Sequence, residues 1–148
     1  LGERRSYDQD PRFGLIALSE IGSRALSPGI NDPGTAIDVL ATLVRVLVPD
    51  GKEERDREDR DISYPHVHLP QLREDDLIDA AFMPISRDGA GLVEVSIRLQ
   101  KALAAVAAAA HPEMRPAARR LAAIAQRRSL EKLEFEPDRE RLVAETGL

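Results

Sequence analysis

The segment from residue 24 to residue 35, RALSPGINDPGT, combines a helix stop, a helix start and polar side chains suited to an anion. Pro28 and Gly29 end one helix, because proline cannot continue it and Gly29 can adopt a positive φ angle. Asp32 and Pro33 are typical of the N-cap and the first position of the next helix. Free N–H groups and the helix dipole at such a start favour phosphate or carboxylate. The pattern therefore predicts either a rigid corner between packed helices or an anion site.

Neighbouring side chains extend the predicted site. Arg24 can pair with an anion, whereas Asp32 opposes one if its carboxylate already caps the helix. A polar cluster near the start of the chain either remains solvated or docks back onto the corner, where its arginines would suit an acidic ligand or a neighbouring subunit. The predicted ligand-binding residues are Arg4, Arg5, Asp8, Asp10, Arg24, Ser27, Asn31, Asp32, Thr35 and Asp38.

A polar stripe follows the corner on an otherwise apolar helix and consists of Asp38, Thr42 and Arg45. Buried charges are costly unless they are paired, so this stripe either faces solvent or forms the wall of a polar cleft. Within a cleft, Asp38 would be an acid or a base. No nucleophile is placed beside it, and no catalytic residue is predicted.

Metal binding has one candidate, the pair His66 and His68, which lie two residues apart in a segment that looks extended. Residues at that spacing point to the same side of a strand, and two imidazoles can share a metal ion. A third ligand is not identified, and a polar strand face is the alternative. Because cysteine is absent, thiolate sites are excluded, and we predict no metal and no cofactor.

Basic residues are concentrated between positions 113 and 132, where five arginines and Lys132 face only two glutamates. They form either a solvated helix face or a surface for anionic lipid or an acidic partner. The segment 50–61, DGKEERDREDRD, is one such acidic candidate, with seven acids and four bases. That composition predicts a solvated loop.

The elements that would position these residues are mostly helices. Apolar periodicity and helix-breaking residues predict helices at 13–26, 33–48, 72–83, 91–110 and 113–133, then a short last helix between Glu136 and Gly147. Residues 62–70 look like one short extended segment. The first helix should bury Gly14, Leu18, Ile21 and Ala25. The second helix, apolar over most of its circumference, should be the buried centre. The fold class is mainly α, a compact bundle of five or six helices with at most one or two short extended segments.

Composition narrows the function classes. The chain has 148 residues with 43% hydrophobic content, enough for one domain, which we place at 1–148 with the charged loop 50–61 inside it. No run approaches the roughly 20 apolar residues that span a bilayer. A net charge of −5 argues against a general nucleic-acid binder. A helix-turn-helix reader is also disfavoured, because the second helix offers one arginine and is apolar nearly all round.

Two blocks of sequence resemble the DUF2254 family of predicted bacterial integral-membrane proteins. They are SYDQDPRFGL at 6–15 and RALSPGINDPGTA at 24–36, with AFMPI at 81–85 as a later block. The resemblance implies a soluble C-terminal portion that follows several N-terminal transmembrane helices in a bacterial inner-membrane protein, which agrees with a chain that begins at Leu1. The cytoplasmic side is our default for its location. The family supplies no catalytic residues to carry over.

These observations favour a non-catalytic soluble domain of a membrane protein. It would bind a small anionic ligand or a partner, or mediate assembly into a homo-oligomer, and nucleic acid is not among its expected partners. The alternative is an enzyme of unknown reaction whose cleft is lined by Asp, Arg and Asn side chains. That alternative requires the carboxylates to converge on a substrate.

Overall fold

The structure is a computed structural model that describes residues 11–48 and 73–147, apart from the side chain of Pro11. Helices form in the predicted places, and the described residues contain no strand. The helices are α1 Pro11–Ala25, α2 Pro33–Leu47, α3 Glu74–Asp88, α4 Val93–Ala109, α5 Met114–Lys132 and α6 Glu136–Thr146. The mainly α fold is therefore confirmed. The predicted loop at 50–61 and the extended segment at 62–70 lie outside the described residues.

Five of the helices form a closed ring in which each packs against two neighbours. Around the ring the order is α1, α2, α4, α5 and α3, and α3 returns to α1. Aliphatic side chains and Phe82 from all five helices fill the interior. Phe82, Leu40 and Leu103 are fully buried there. Aliphatic burial of this kind is the main stabilising contribution to such a domain.

The sixth helix packs on the outside of the ring, against α4. Its one buried residue, Leu142, joins Ile97 of α4 and Leu133 in a small second apolar cluster. Gly147 ends the helix with φ 65°, a left-handed conformation that suits glycine. Its two adjacent apolar residues differ, because Leu142 is buried and Val143 is 42% exposed.

The buried face of α1 differs from the predicted one. Leu15, Ser19 and Gly22 are buried, while Ile21 is 53% exposed. The prediction for Ile21 was wrong because the true stripe includes a serine and a glycine, which an apolar pattern does not register. A Cβ atom at Gly22 would lie 2.7 Å from Ile85 Cδ1, so the absence of a side chain lets α3 pack closely.

Helix α2 is one wall of the ring and not its centre. It buries Ala36, Val39, Leu40, Leu43 and Leu47, while Val46 is 58% exposed. Helix α2 therefore has more apolar residues than it buries. Helix α3 continues through Pro84 to Asp88, beyond the predicted end at residue 83.

Candidate functional site

The predicted corner between α1 and α2 is closed by its own backbone. The Asp32 N–H donates to the carbonyl oxygen of Ala25 at 2.8 Å, and the Ile30 and Asn31 N–H groups donate to the carbonyl oxygen of Ser27 at 3.0 and 2.8 Å. Asn31 adopts φ 48°, the left-handed conformation that was expected at Gly29. Asparagine is among the few residues that tolerate this region. These contacts agree with the rigid-corner interpretation.

Asp32 occupies the start of α2 with its own carboxylate. Oδ1 accepts from the Thr35 N–H at 3.1 Å, and Oδ2 accepts from the Thr35 hydroxyl at 2.6 Å. The hydrogen bond from that hydroxyl, followed by the one from the N–H, holds the pKa of Asp32 below its ordinary value. An anionic ligand at this helix end would have to compete with a carboxylate that is already bound.

The polar stripe of α2 lies on the outer surface. The Thr42 hydroxyl donates to the carbonyl oxygen of Asp38 at 3.0 Å, and Arg45 Nη2 donates to Thr42 Oγ1 at 2.9 Å. Asp38 and Arg45 are both exposed. This geometry agrees with the solvent-facing interpretation of the stripe.

A cleft opens on the other side of the corner, where the C-terminal ends of α1 and α3 meet. We call it the polar cleft, and its volume is about 600 Å³. Two of the predicted site residues, Arg24 and Ser27, line it. The full lining is Glu20, Ser23, Arg24, Leu26, Ser27, Pro28 and Asp88.

Asp88 anchors the α3 side of the polar cleft. Its Oδ1 accepts from Arg87 Nε at 2.7 Å, and its Oδ2 accepts from Arg87 Nη2 at 3.1 Å and from the Ser23 hydroxyl through a short hydrogen bond. The hydrogen bond from Arg87 lowers the pKa of Asp88, with smaller contributions from Ser23 and from the charge of Arg128. Asp88 is therefore an ionised and compensated carboxylate, and it ties α3 to α1.

Arg24 is the cation that the polar cleft leaves available. Among the described residues, no hydrogen bond or ion pair engages its guanidinium group. Glu20 lies one helical turn before it, yet the two side chains form no ion pair. A guanidinium group has donors in a planar fork that matches carboxylate and phosphate oxygens. The Arg24 guanidinium group is therefore the part of the polar cleft that can bind an anion without breaking a contact of the fold.

The remaining predicted site residues that the structure describes do not line the polar cleft. Asn31, Asp32, Thr35 and Asp38 belong to the corner and to α2, and none of them lines the cleft. Arg4, Arg5, Asp8 and Asp10 lie outside the described residues. The carboxylate convergence that an enzyme would need is therefore not formed by Asp32 and Asp38.

Ser23 and Asp88 were not among the predicted site residues. One signal was present, because an acid at the C-terminal end of a helix is unfavourable next to the negative end of the dipole. Such a residue needs a compensating partner, and the structure supplies Arg87 and Ser23.

The basic helix α5 uses part of its charge within the fold. Arg120 pairs with Asp79 at 2.9 Å, Arg128 Nη1 donates to the Ser86 hydroxyl at 2.9 Å, and Arg115 Nε donates to the carbonyl oxygen of Ala107 at 3.0 Å. The acidic segment 50–61, proposed as a partner for this helix, lies outside the described residues. Fewer basic side chains of this face are therefore free to contact lipid than the sequence suggested.

Metal ligands do not cluster in the stretches 11–48 and 73–147, where no group of three His, Asp or Glu side chains is arranged to hold an ion. His66 and His68 lie in the segment that the structure does not describe. Within the same two stretches, no helix is long and apolar enough to cross a membrane.

Comparison with known proteins identifies a family and relatives that align over a short segment. A family model described as a predicted membrane protein (DUF2254) matches residues 1–105. Uncharacterized proteins from Mycobacterium bovis and from two strains of Mycobacterium tuberculosis are each 50% identical over 46 residues. That alignment covers 31% of this chain and 9% of each relative, so the chain matches only a small part of their length. No solved structure matches the chain.

Proposed function

The chain belongs to the DUF2254 family of predicted membrane proteins, and from that premise we propose that it is a non-catalytic binding domain of such a protein. Its ligand would be a small anion, a carboxylate or a phosphate, held in the polar cleft by Arg24. The proposal narrows the predicted anion site from the corner to the adjoining cleft, where Arg24 and Ser27 lie.

The observation that carries this proposal is the difference between two charged groups that line the polar cleft. Asp88 is compensated by Arg87 and Ser23, while Arg24 has no partner among the described residues. An arginine that lines a concave surface without a partner can bind a carboxylate or phosphate through two parallel hydrogen bonds. The Ser27 hydroxyl is the additional polar group beside it.

Two acids of the cleft restrict the ligand. Asp88 keeps its charge, but Arg87 offsets it at 2.7 Å. Glu20 pairs with no cation in residues 11–48 and 73–147, and it would repel an anion close to it. A small ligand with its negative group at the Arg24 side is therefore favoured over a polyanion that fills the cleft.

A non-catalytic role is favoured by the same network. The lowered pKa makes Asp88 a weak base, so it is poorly suited to activate the Ser23 hydroxyl that it binds. We also propose that the rest of the full-length protein supplies the membrane-spanning segments and that this domain lies on the cytoplasmic side. The family description supports the membrane association, and the polar cleft lies wholly within the matched residues 1–105.

Thermal unfolding followed by circular dichroism tests the binding proposal. The 148-residue chain is heated with sodium phosphate, sodium acetate or sodium chloride at equal ionic strength. An anion at ten times its dissociation constant adds about 1.4 kcal/mol to the unfolding free energy, which raises the midpoint by about 3 to 6 °C. We expect phosphate or acetate to exceed chloride by such an amount.

The matched variants are Arg24→Gln and Arg127→Gln, both at exposed arginines, of which only Arg24 lines the polar cleft. Arg24→Gln should abolish the shift, and Arg127→Gln should keep it. A shift that survives Arg24→Gln, or the absence of any difference between chloride and the two test anions, contradicts the proposal.

A further inference from the structure

A second concave surface lies on the opposite part of the ring, between α4 and α5, and the end of α6 closes one side of it. Its volume is about 560 Å³, within the range of small-molecule sites. Its walls are mainly alanine, and we call it the alanine groove. Its lining includes Gln100, Lys101, Ala108, Arg119, Ala122 and Glu145.

Gln100 is the unusual member of this lining. Its side chain is polar, yet only 3% of the residue is exposed. Nε2 donates to the carbonyl oxygen of Ala122 at 2.9 Å, which fixes the amide between α4 and α5. Oε1 is buried and accepts no hydrogen bond from the part of the chain that the structure describes. Buried polar atoms are nearly always paired, and an acceptor left without a donor destabilises the fold.

The charged groups at the edge of the alanine groove largely neutralise one another. Lys101 Nζ lies 2.9 Å from Glu145 Oε2, and Arg141 Nε lies 2.8 Å from Glu145 Oε1. These contacts lower the pKa of Glu145, first through Lys101 and then through Arg141. A ligand in the groove therefore meets mainly alanine methyl groups and the Gln100 acceptor, while Lys101 and Glu145 are already paired and Arg119 is exposed to solvent.

We propose that the alanine groove binds a small uncharged apolar molecule that carries one N–H or O–H donor, and that this donor bonds to Gln100 Oε1. The last torsion of a glutamine side chain is broad, so a modest rotation can bring Oε1 toward the groove while Nε2 stays within reach of the Ala122 carbonyl oxygen. The apolar body replaces water along the alanine walls, and the donor satisfies the one buried acceptor. This site is separate from the polar cleft and does not depend on the function proposed for it.

Fluorescence of N-phenyl-1-naphthylamine tests the proposal, because this apolar amine has one N–H donor and emits more strongly in apolar surroundings. The chain contains no tryptophan, so protein fluorescence contributes little background. The N-methylated form of the same probe lacks the donor. We expect the N–H probe to bind about three- to tenfold more tightly than the methylated probe, the range of one hydrogen bond.

Gln100→Leu keeps the volume and removes the acceptor, so it should bring the two probes to equal affinity. Ala108→Leu fills the groove and should abolish binding of both. Ala109→Leu is the matched control, because Ala109 is an exposed neighbour that does not line the groove. The Ala108 and Ala109 pair remains informative if Gln100→Leu fails to fold.

Four results would overturn the proposal. Two concern the unmodified chain: absence of binding by the N–H probe, and equal affinity for the two probes. The other two concern the variants: a donor preference that survives Gln100→Leu, and equal loss of binding in Ala108→Leu and Ala109→Leu.

Discussion

Gly89 follows the last residue of α3 at a point where the core leaves no room for a side chain. A Cβ atom there would lie 2.5 Å from Val95 Cγ1 and 3.1 Å from the carbonyl oxygen of Ile85. Carbon atoms in contact are normally about 3.5 to 4.0 Å apart, so the overlap with Val95 is about 1 Å. Val95 is 1% exposed and β-branched, and it cannot turn away easily. Gly89→Ala must therefore displace α3 from α4.

The expected cost follows from two opposing effects. Overpacking of a core by one methyl group typically costs about 1 to 3 kcal/mol. Replacing glycine by alanine also restricts the unfolded chain, which stabilises by about 0.4 to 1 kcal/mol. Gly91 provides the control, because a Cβ atom there meets nothing within 4 Å and its φ angle is not positive. The unfolded-state effect is common to both variants, so Gly89→Ala should be about 1 to 3 kcal/mol less stable than Gly91→Ala.

Urea unfolding at 25 °C, followed by circular dichroism at 222 nm, measures this difference directly. The slope of the transition should be the same for both variants, so that the midpoints report stability alone. If Gly89→Ala is as stable as Gly91→Ala, the close packing of α3 against α4 is refuted. Because Asp88 precedes Gly89, a displaced α3 should also weaken the contact between Asp88 and Ser23 that forms one side of the polar cleft.

Two further predictions concern a charge and an apolar anchor. The lowered pKa of Asp88 means that its ionised form stabilises the fold above its ordinary value of 3.8, and this contribution is lost as pH falls through the folded value. Asp88→Asn should therefore be less stable than the unmodified chain at pH 7. The difference in unfolding free energy should shrink as pH falls below about 4 in urea titrations. A difference that is independent of pH contradicts the assignment. Leu142→Ala should cost about 2 to 4 kcal/mol because Leu142 is 0% exposed, whereas Val143→Ala, at 42% exposure, should change stability by less than about 0.5 kcal/mol. Equal effects of the two substitutions in chemical unfolding would show that α6 does not dock through Leu142.

Local signals in the sequence were sufficient for the helices. Caps and breakers at Asp32, Pro33 and Gly147 act within a few residues, and the helix boundaries they predict are close to those observed. Apolar periodicity also predicted α3 and α4, in which Ile78 and Leu103 are fully buried. These features depend on contacts between residues near one another in the chain.

The features that were not predicted depend on residues far apart. Ser23 and Asp88 meet across 65 positions, and no local pattern relates them. The exposure of Ile21 depends on Gly22 packing beneath Ile85, which hydrophobicity does not encode. Similarly, α2 has the composition of a central helix, but its place in the ring leaves Val46 at the surface. Arrangement in space, and not residue type, decided these cases.

The attachment of α6 to the outside of the ring has a consequence for cooperativity. Its single buried residue joins a small cluster that is separate from the main core. Regions held by few buried apolar contacts open at lower free energy than the whole domain, in units that exchange their amide hydrogens together. Helix α6 is such a unit, and Glu145 and Thr146 near its end line the alanine groove. Each local opening of α6 therefore also removes one wall of the groove. A molecule bound in the groove should slow amide exchange throughout α6, although the helix supplies only Glu145 and Thr146 to the lining.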